Sequence, residues 1–159
     1  MSNEKNSRAA DSHSKNALRA WLQLTKCAKR IEGRMNGNFV RTYNSSLPRF
    51  DVLANLERMP GDKASTTQLA KMLLASKGNI TRLLDRMEDD QLIERKPNKV
   101  DRRVSDIHLA DDGAQLFARM AADHEKWTDD IFSALSNEEV KTLIELIGKL
   151  RNRMNELES

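Results

Sequence analysis

Apolar residues recur along this chain at helical spacing almost from end to end, and the rhythm breaks in one short stretch. Leu18, Trp21, Leu24, Ala28, Ile31 and Met35 repeat by threes and fours, predicting a long first helix that fades at Asn44–Ser46. Pro48 then stands where a first helical turn tolerates it, and Phe50, Leu53, Ala54 and Leu56 carry a second helix to Met59, ended by Pro60-Gly61. Ser65 followed by Gln68 is a capping-box pattern opening a third helix, whose apolar side is Leu69, Met72 and Leu73. Ser76 is the expected cap of a fourth helix, with Ile80, Leu83, Leu84 and Met87 as one inward stripe. The period then changes. Leu92–Lys96 and Val104–Leu109 read as two strands joined by a turn rich in Pro, Asn and Asp. Two further helices follow, one from Asp111 bearing Phe117, Met120, His124, Trp127, Ile131 and Ala134, the other from the box Ser136–Glu139 bearing Val140, Leu143, Ile147, Leu150, Met154 and Leu157.

The pattern divides the chain into a polar tail (1–15), an N-terminal helix (16–46), a lobe of short helices and strands (47–110) and C-terminal helices (111–159). The expected fold class is mainly α with a small β-hairpin. The tail is expected to be loose, because Ser, Asn and charge dominate it.

The face opposite the inward stripe of the fourth helix carries the chemistry. At about 100° per residue, Gly78, Arg82, Asp85 and Arg86 lie outward, with Asn79 and Thr81 on the flanks. Such a helix suits a DNA major groove: Arg82 matches guanine O6 and N7 in a two-pronged contact, and Asn79 and Thr81 match a base or a phosphate. Ser76 and Lys77 stand at its N-terminus, where free amides and the helix dipole favour phosphate. Glu88, Asp89 and Asp90 oppose DNA but sit at the far end, outside the groove if the helix enters N-terminus first. Asp85 is nearer, and Arg82 or Arg86 is its expected partner. The turn between the strands adds Lys99, Arg102 and Arg103, with Asp101 placed to orient Arg103; a narrow minor groove attracts such an arginine. A helix solvated on one side and a charged turn are the plain alternatives.

At these residues the chain resembles the MarR family of bacterial transcriptional regulators, from about Leu18 to Leu157. The segment DRRVSDIHLADDG, Asp101–Gly113, is similar to the family's wing and second strand, and LPRFDVLANL to its second helix. The resemblance implies that Ser76–Arg86 is a recognition helix and that Arg103 enters the minor groove with Asp101 orienting it. It also implies a winged helix-turn-helix DNA-binding lobe (47–110) framed by an N-terminal dimerisation helix (16–46) and C-terminal dimerisation helices (111–159), and so a homodimer built from the terminal helices. SKGNIT, Ser76–Thr81, is similar to members that answer to aromatic acids or their thioesters. Trp21 and Phe50 are the weakly supported candidates for lining an effector cavity.

Composition narrows the alternatives. Of 159 residues, 38% are hydrophobic and only 4% aromatic while 32% are charged, a balance suited to long exposed helices. The net charge of +3 leans basic without proving a nucleic-acid partner, so the placement of charge decides more than its sum. Short apolar runs offer no membrane span, and the first fifteen residues lack the apolar middle of a signal peptide. A soluble, cytoplasmic protein is expected. His13, His108 and His124 have no ligand-like spacing, and no phosphate loop or nucleophile motif is present, so neither a metal, a cofactor nor an enzymatic activity is expected. Cys27 is the single cysteine. It is expected to be buried and inert, though Lys26 and Lys29 beside it suit an oxidant-sensing thiol on the same scaffold. The expected function is a repressor released from a pseudo-palindromic operator by a small ligand. A thiol-based regulator using Cys27 and a helical interaction module that never touches DNA are the alternatives.

Overall fold

A computed structural model describes residues 2–98 and 105–158. The chain forms two compact units, 1–120 and 121–159. In the first, α1 runs Ser2–Tyr43, so the segment expected to be a loose tail is helical backbone from its second residue. No proline and no glycine precedes Gly33, which leaves the helix without a local stop. It ends where Asn44 adopts φ +50° and the N–H groups of Asn44 and Ser45 reach the carbonyls of Val40 and Phe39. The next helix, α2 (Leu47–Arg58), is capped by Ser46, whose hydroxyl accepts from the Arg49 amide at 3.4 Å. Its first amide donates to the Asn36 side chain at 3.0 Å and so ties α2 to α1.

Strand β1 (Lys63–Ser65) was not expected, because three residues are too few to show a period of two. It is followed by α3 (Thr66–Met72), opened by the Ser65–Gln68 capping box, and α4 (Lys77–Asp89), capped by Ser76. Strands β2 (Ile93–Pro97) and β3 (Ser105–Leu109) form the expected hairpin. The sheet is three-stranded and antiparallel in the order β1-β3-β2, with Ala64 opposite Ile107 and Arg95 opposite Ile107 on the other side. Beneath it lies one apolar core from six elements, including Val52, Leu53, Leu56, Ala64, Leu69, Ile80, Leu84, Met87, Ile93 and Ile107. Burial of this kind is the main stabilising term for the lobe.

Helix α5 (Asp111–Phe132) begins hard against the sheet. A Cβ on Gly113 would lie 2.0 Å from the Leu92 carbonyl oxygen, so only glycine permits that approach. Phe50 stacks on Phe39 at 4.9 Å and on Phe117 at 5.6 Å, joining α1, α2 and the first half of α5. In the second unit, α6 (Asn137–Leu157) opens with the expected box, Ser136 with Glu139. No residue of α6 is buried, and Ile144, Ile147, Leu150, Met154 and Leu157 are all exposed. No described helix is long and apolar enough to cross a membrane.

Candidate nucleic-acid interface

Helix α4 is held by its inner stripe: Ile80, Leu84 and Met87 are at most 1% exposed, while Leu83 is half-buried at the edge. That anchoring leaves Ser76, Gly78, Asn79, Thr81, Arg82 and Arg86 exposed together, as the spacing predicted. Lys77 is the first residue of the helix. The Arg82 guanidinium folds back along the surface, donating from Nη2 to Asn79 Oδ1 at 3.3 Å and from Nε to the Gly78 carbonyl at 3.4 Å. Both bonds are long and exposed, so they hold the group in place at little cost to releasing it. Ser76 spends its hydroxyl on the Asn79 amide at 3.3 Å and so acts as a cap in the first instance.

The acidic end of α4 is organised differently from the expectation. Asp85 pairs with neither Arg82 nor Arg86; its partner is Arg95 of β2, at 2.6 Å. Arg95 also binds the Glu88 carboxylate through Nη1, and its backbone N–H donates to Glu88 Oε1 at 3.2 Å. Arg49 of α2 takes Asp90 at 2.6 Å. Two arginines from neighbouring elements therefore pair with three of the four carboxylates that would oppose a duplex and offset two of their three charges. The reason for the miss is simple: helical spacing reveals partners three or four residues apart, and these partners come from other elements. Arg82 is left with neutral acceptors.

Below the hairpin, Asp106 receives the Lys63 ammonium at 3.1 Å and the Asn98 side-chain amide at 2.9 Å. Those donors, the amide first, hold its carboxyl below the usual carboxylate range. The turn residues Lys99, Asp101, Arg102 and Arg103 lie outside the described residues.

A cavity of about 490 Å³ opens beside α4, lined by Glu32 of α1, Pro48 and Asp51 of α2, Leu73, and Asn79, Arg82, Leu83 and Arg86 of α4. Burial, reinforced by the neighbouring Glu32, pushes the Asp51 carboxyl up. The sequence pointed instead to Trp21 and Phe50 as cavity residues, and the structure does not bring them together. Phe50 is buried at 8% exposure in the aromatic stack, whereas Trp21 is 60% exposed. Trp21 also lies about 27 Å along α1 from Phe39, the stacking partner of Phe50, at about 1.5 Å per residue. Cys27 is exposed, contrary to the expectation of burial. His124 is partly buried, and desolvation lowers its pKa as expected of a packed histidine. Among the described residues no group of three or more His, Cys, Asp or Glu is placed to hold a metal.

Residues 46–105 match the model of the MarR family. The HTH-type transcriptional regulator PecS of Dickeya dadantii is 34% identical over 113 residues, spanning 70% of this chain and 68% of that protein. Among solved structures, AbsC, a MarR family regulator of Streptomyces coelicolor, superposes with a TM-score of 0.78 at 20% identity, over 86% of this chain and 92% of its own. Sco3205 of the same organism, a family member solved in complex with DNA, gives 0.77 at 21% identity over 83% of each chain. The capped recognition-type helix, the three-stranded sheet with its hairpin and this sequence match together assign the chain to the MarR family of winged helix-turn-helix transcriptional regulators.

Proposed function

We propose that the protein is a homodimeric repressor that inserts α4 into successive major grooves of a pseudo-palindromic operator and leaves it when a small ligand binds. The observation that carries this reading is the separation of charge along α4. Gly78, Asn79, Arg82 and Arg86 are exposed on its outer face, while Asp85, Glu88 and Asp90 are tied down by Arg95 and Arg49. Only the half of the helix that suits base edges is left to meet them. Arg82 reads guanine, Asn79 and Thr81 read a base or hold a phosphate, and Ser76, Lys77 and Gly78 let the backbone approach the duplex. Lys99, Arg102 and Arg103 reach the minor groove, Asp101 orienting Arg103.

Dimerisation draws support from the uncovered apolar seams. Leu18 and Trp21 on α1, and Ile144, Leu150 and Leu157 on α6, are each more than half exposed in a single protomer. Apolar repeats of that length in water favour a second copy, and a two-fold dimer presents two α4 helices to one face of DNA. The regulatory ligand belongs in the cavity beside α4. Its lining suits a small weak acid with an apolar body: Leu73, Leu83 and Pro48 for the body, Arg82 and Arg86 for the acid group. A ligand that engages those guanidiniums takes them from the bases, so it binds the DNA-free state better and shifts the population toward it. The thiol and interaction-module readings are not favoured; a lone exposed Cys27 is all that supports the first.

Selection of duplexes from a random pool tests the reading. The recovered site is expected to be a pseudo-palindrome with half-sites about one helical turn apart. Arg82→Ala should cost roughly 1–3 kcal/mol of discrimination at one base pair per half-site. Arg103→Ala should weaken all duplexes alike and flatten the salt dependence by about one unit. Small aromatic acids should release the DNA. Equal affinity for every duplex before and after the Arg82 substitution removes the assignment.

A further inference from the structure

Among the described residues Asp106 is the one charged residue buried from solvent, at 7% exposure, although charged residues make up 32% of the chain. It lies in the central strand, opposite Ser65 of β1 and Lys96 of β2. One carboxylate oxygen accepts from Lys63 Nζ and the other from Asn98 Nδ2, the residue directly after β2, where the chain leaves the sheet for the turn. Neither strand preference nor stability explains a carboxylate here. Asp is depleted in strands, and an ion pair whose lysine is 43% exposed contributes little to stability. The adjacent Ile93 and Ile107 already supply the core. What a carboxylate adds is direction, since its two oxygens fix a cation from β1 and the amide at the root of the turn at set positions.

We infer that Asp106 is a positioning residue for DNA binding: by holding Lys63 of β1 and Asn98 it fixes the end of β2, the last described point before the turn. It thereby controls the wing's contribution to affinity while leaving base preference to α4. This rests on the proposed role of the turn in the minor groove. A merely structural residue loses stability and affinity together when replaced; a positioning residue separates them.

The test is Asp106→Leu and Asn98→Ala in the full-length protein, each measured by chemical denaturation and by binding to matched and mismatched operator duplexes at two salt concentrations. Asp106→Leu is expected to keep its denaturation midpoint while affinity for both duplexes falls by the same factor, on the order of tenfold. The salt dependence should become shallower by about one unit for each phosphate that the turn no longer reaches. Asn98→Ala should repeat the pattern. Should Asp106→Leu unfold, Asn98→Ala decides alone: weaker binding at an unchanged midpoint supports the inference, and unchanged binding overturns it. A parallel fall of midpoint and affinity also overturns it. Arg103→Ala is the control: if it binds as well as the parent protein, the minor-groove reading of the turn fails and this inference goes with it. If it binds weakly while the two root variants do not, only the inference fails.

Discussion

Arg95 of β2 lies 2.6 Å from Asp85 of α4 and binds Glu88 one turn further along, so a single guanidinium joins the strand leading into the wing to the helix proposed to read bases. Its side chain is 26% exposed and that of Asp85 54%, which places the cluster between surface and interior. Coulomb attraction is moderate there, and the larger service is to offset part of the charge of two carboxylates beside the surface proposed to face DNA.

Arg95→Ala should therefore lower stability by only about 1 kcal/mol, as befits a half-exposed network. Its effect on DNA should be larger in proportion, because Asp85 and Glu88 become free to repel phosphate. The loss should be greatest at low salt, where screening is weakest. Denaturant titration and duplex binding at two ionic strengths check both; undiminished binding at low salt would count against the neutralising role.

Gly113 governs where α5 meets the sheet. Any side chain there collides with the backbone oxygen of Leu92, which cannot swing aside as a flexible side chain does. Gly113→Ala should destabilise the lobe by about 1–3 kcal/mol, the usual cost of overpacking, despite alanine's better helix propensity. A higher thermal midpoint for the variant would show that the two elements separate more freely than their geometry indicates.

Asp51 gives the stability a pH dependence of defined sign. Its carboxyl is pushed up by burial and by Glu32, so the folded protein holds the proton more tightly than the unfolded chain. The stabilisation this provides is complete below the ordinary carboxylate range and is lost as pH rises through the raised folded value. Asp51→Asn should raise the denaturation midpoint at neutral pH and narrow the difference from acid pH. A midpoint lowered at neutral pH contradicts the sign. The same variant reports on the cavity, since removing a negative charge beside Arg82 and Arg86 should strengthen binding of a weak acid.

Ile147→Glu combined with Leu150→Glu places two charges on the seam of α6. Both positions are exposed in the single chain, so the folded protomer has little to lose. Sedimentation should show a dimer turned monomer, with normal helical content and operator affinity lost by at least the benefit of linked half-sites. A variant that stays dimeric locates the interface elsewhere.

Much of the fold was legible because its signals are local. The capping residues Ser65, Ser76 and Ser136 act within three positions of themselves, and the stripe Ile80–Leu84–Met87 declares which side of α4 faces out. Contacts between distant segments were not legible. Arg95 with Asp85, Arg49 with Asp90 and Lys63 with Asp106 leave no periodic trace, and β1 is too short for one. An aspartate inside the strand SDIHL was the one available hint that the sheet buries a charge. Trp21 and Phe50 are far apart within one protomer: aromatic identity says nothing of distance, and a long stretch of α1 separates them.

The strand order carries a consequence for synthesis. Since β1 pairs with β3 and not with β2, its partner is made some forty residues after it, once the chain has passed Leu109. A nascent chain stopped at Asn98 already holds α2, α3 and α4 but has no strand to join β1 to β2. Closure of the sheet therefore waits for β3, a long-range pairing of the kind that slows folding, and only then can Ile107 complete the apolar core.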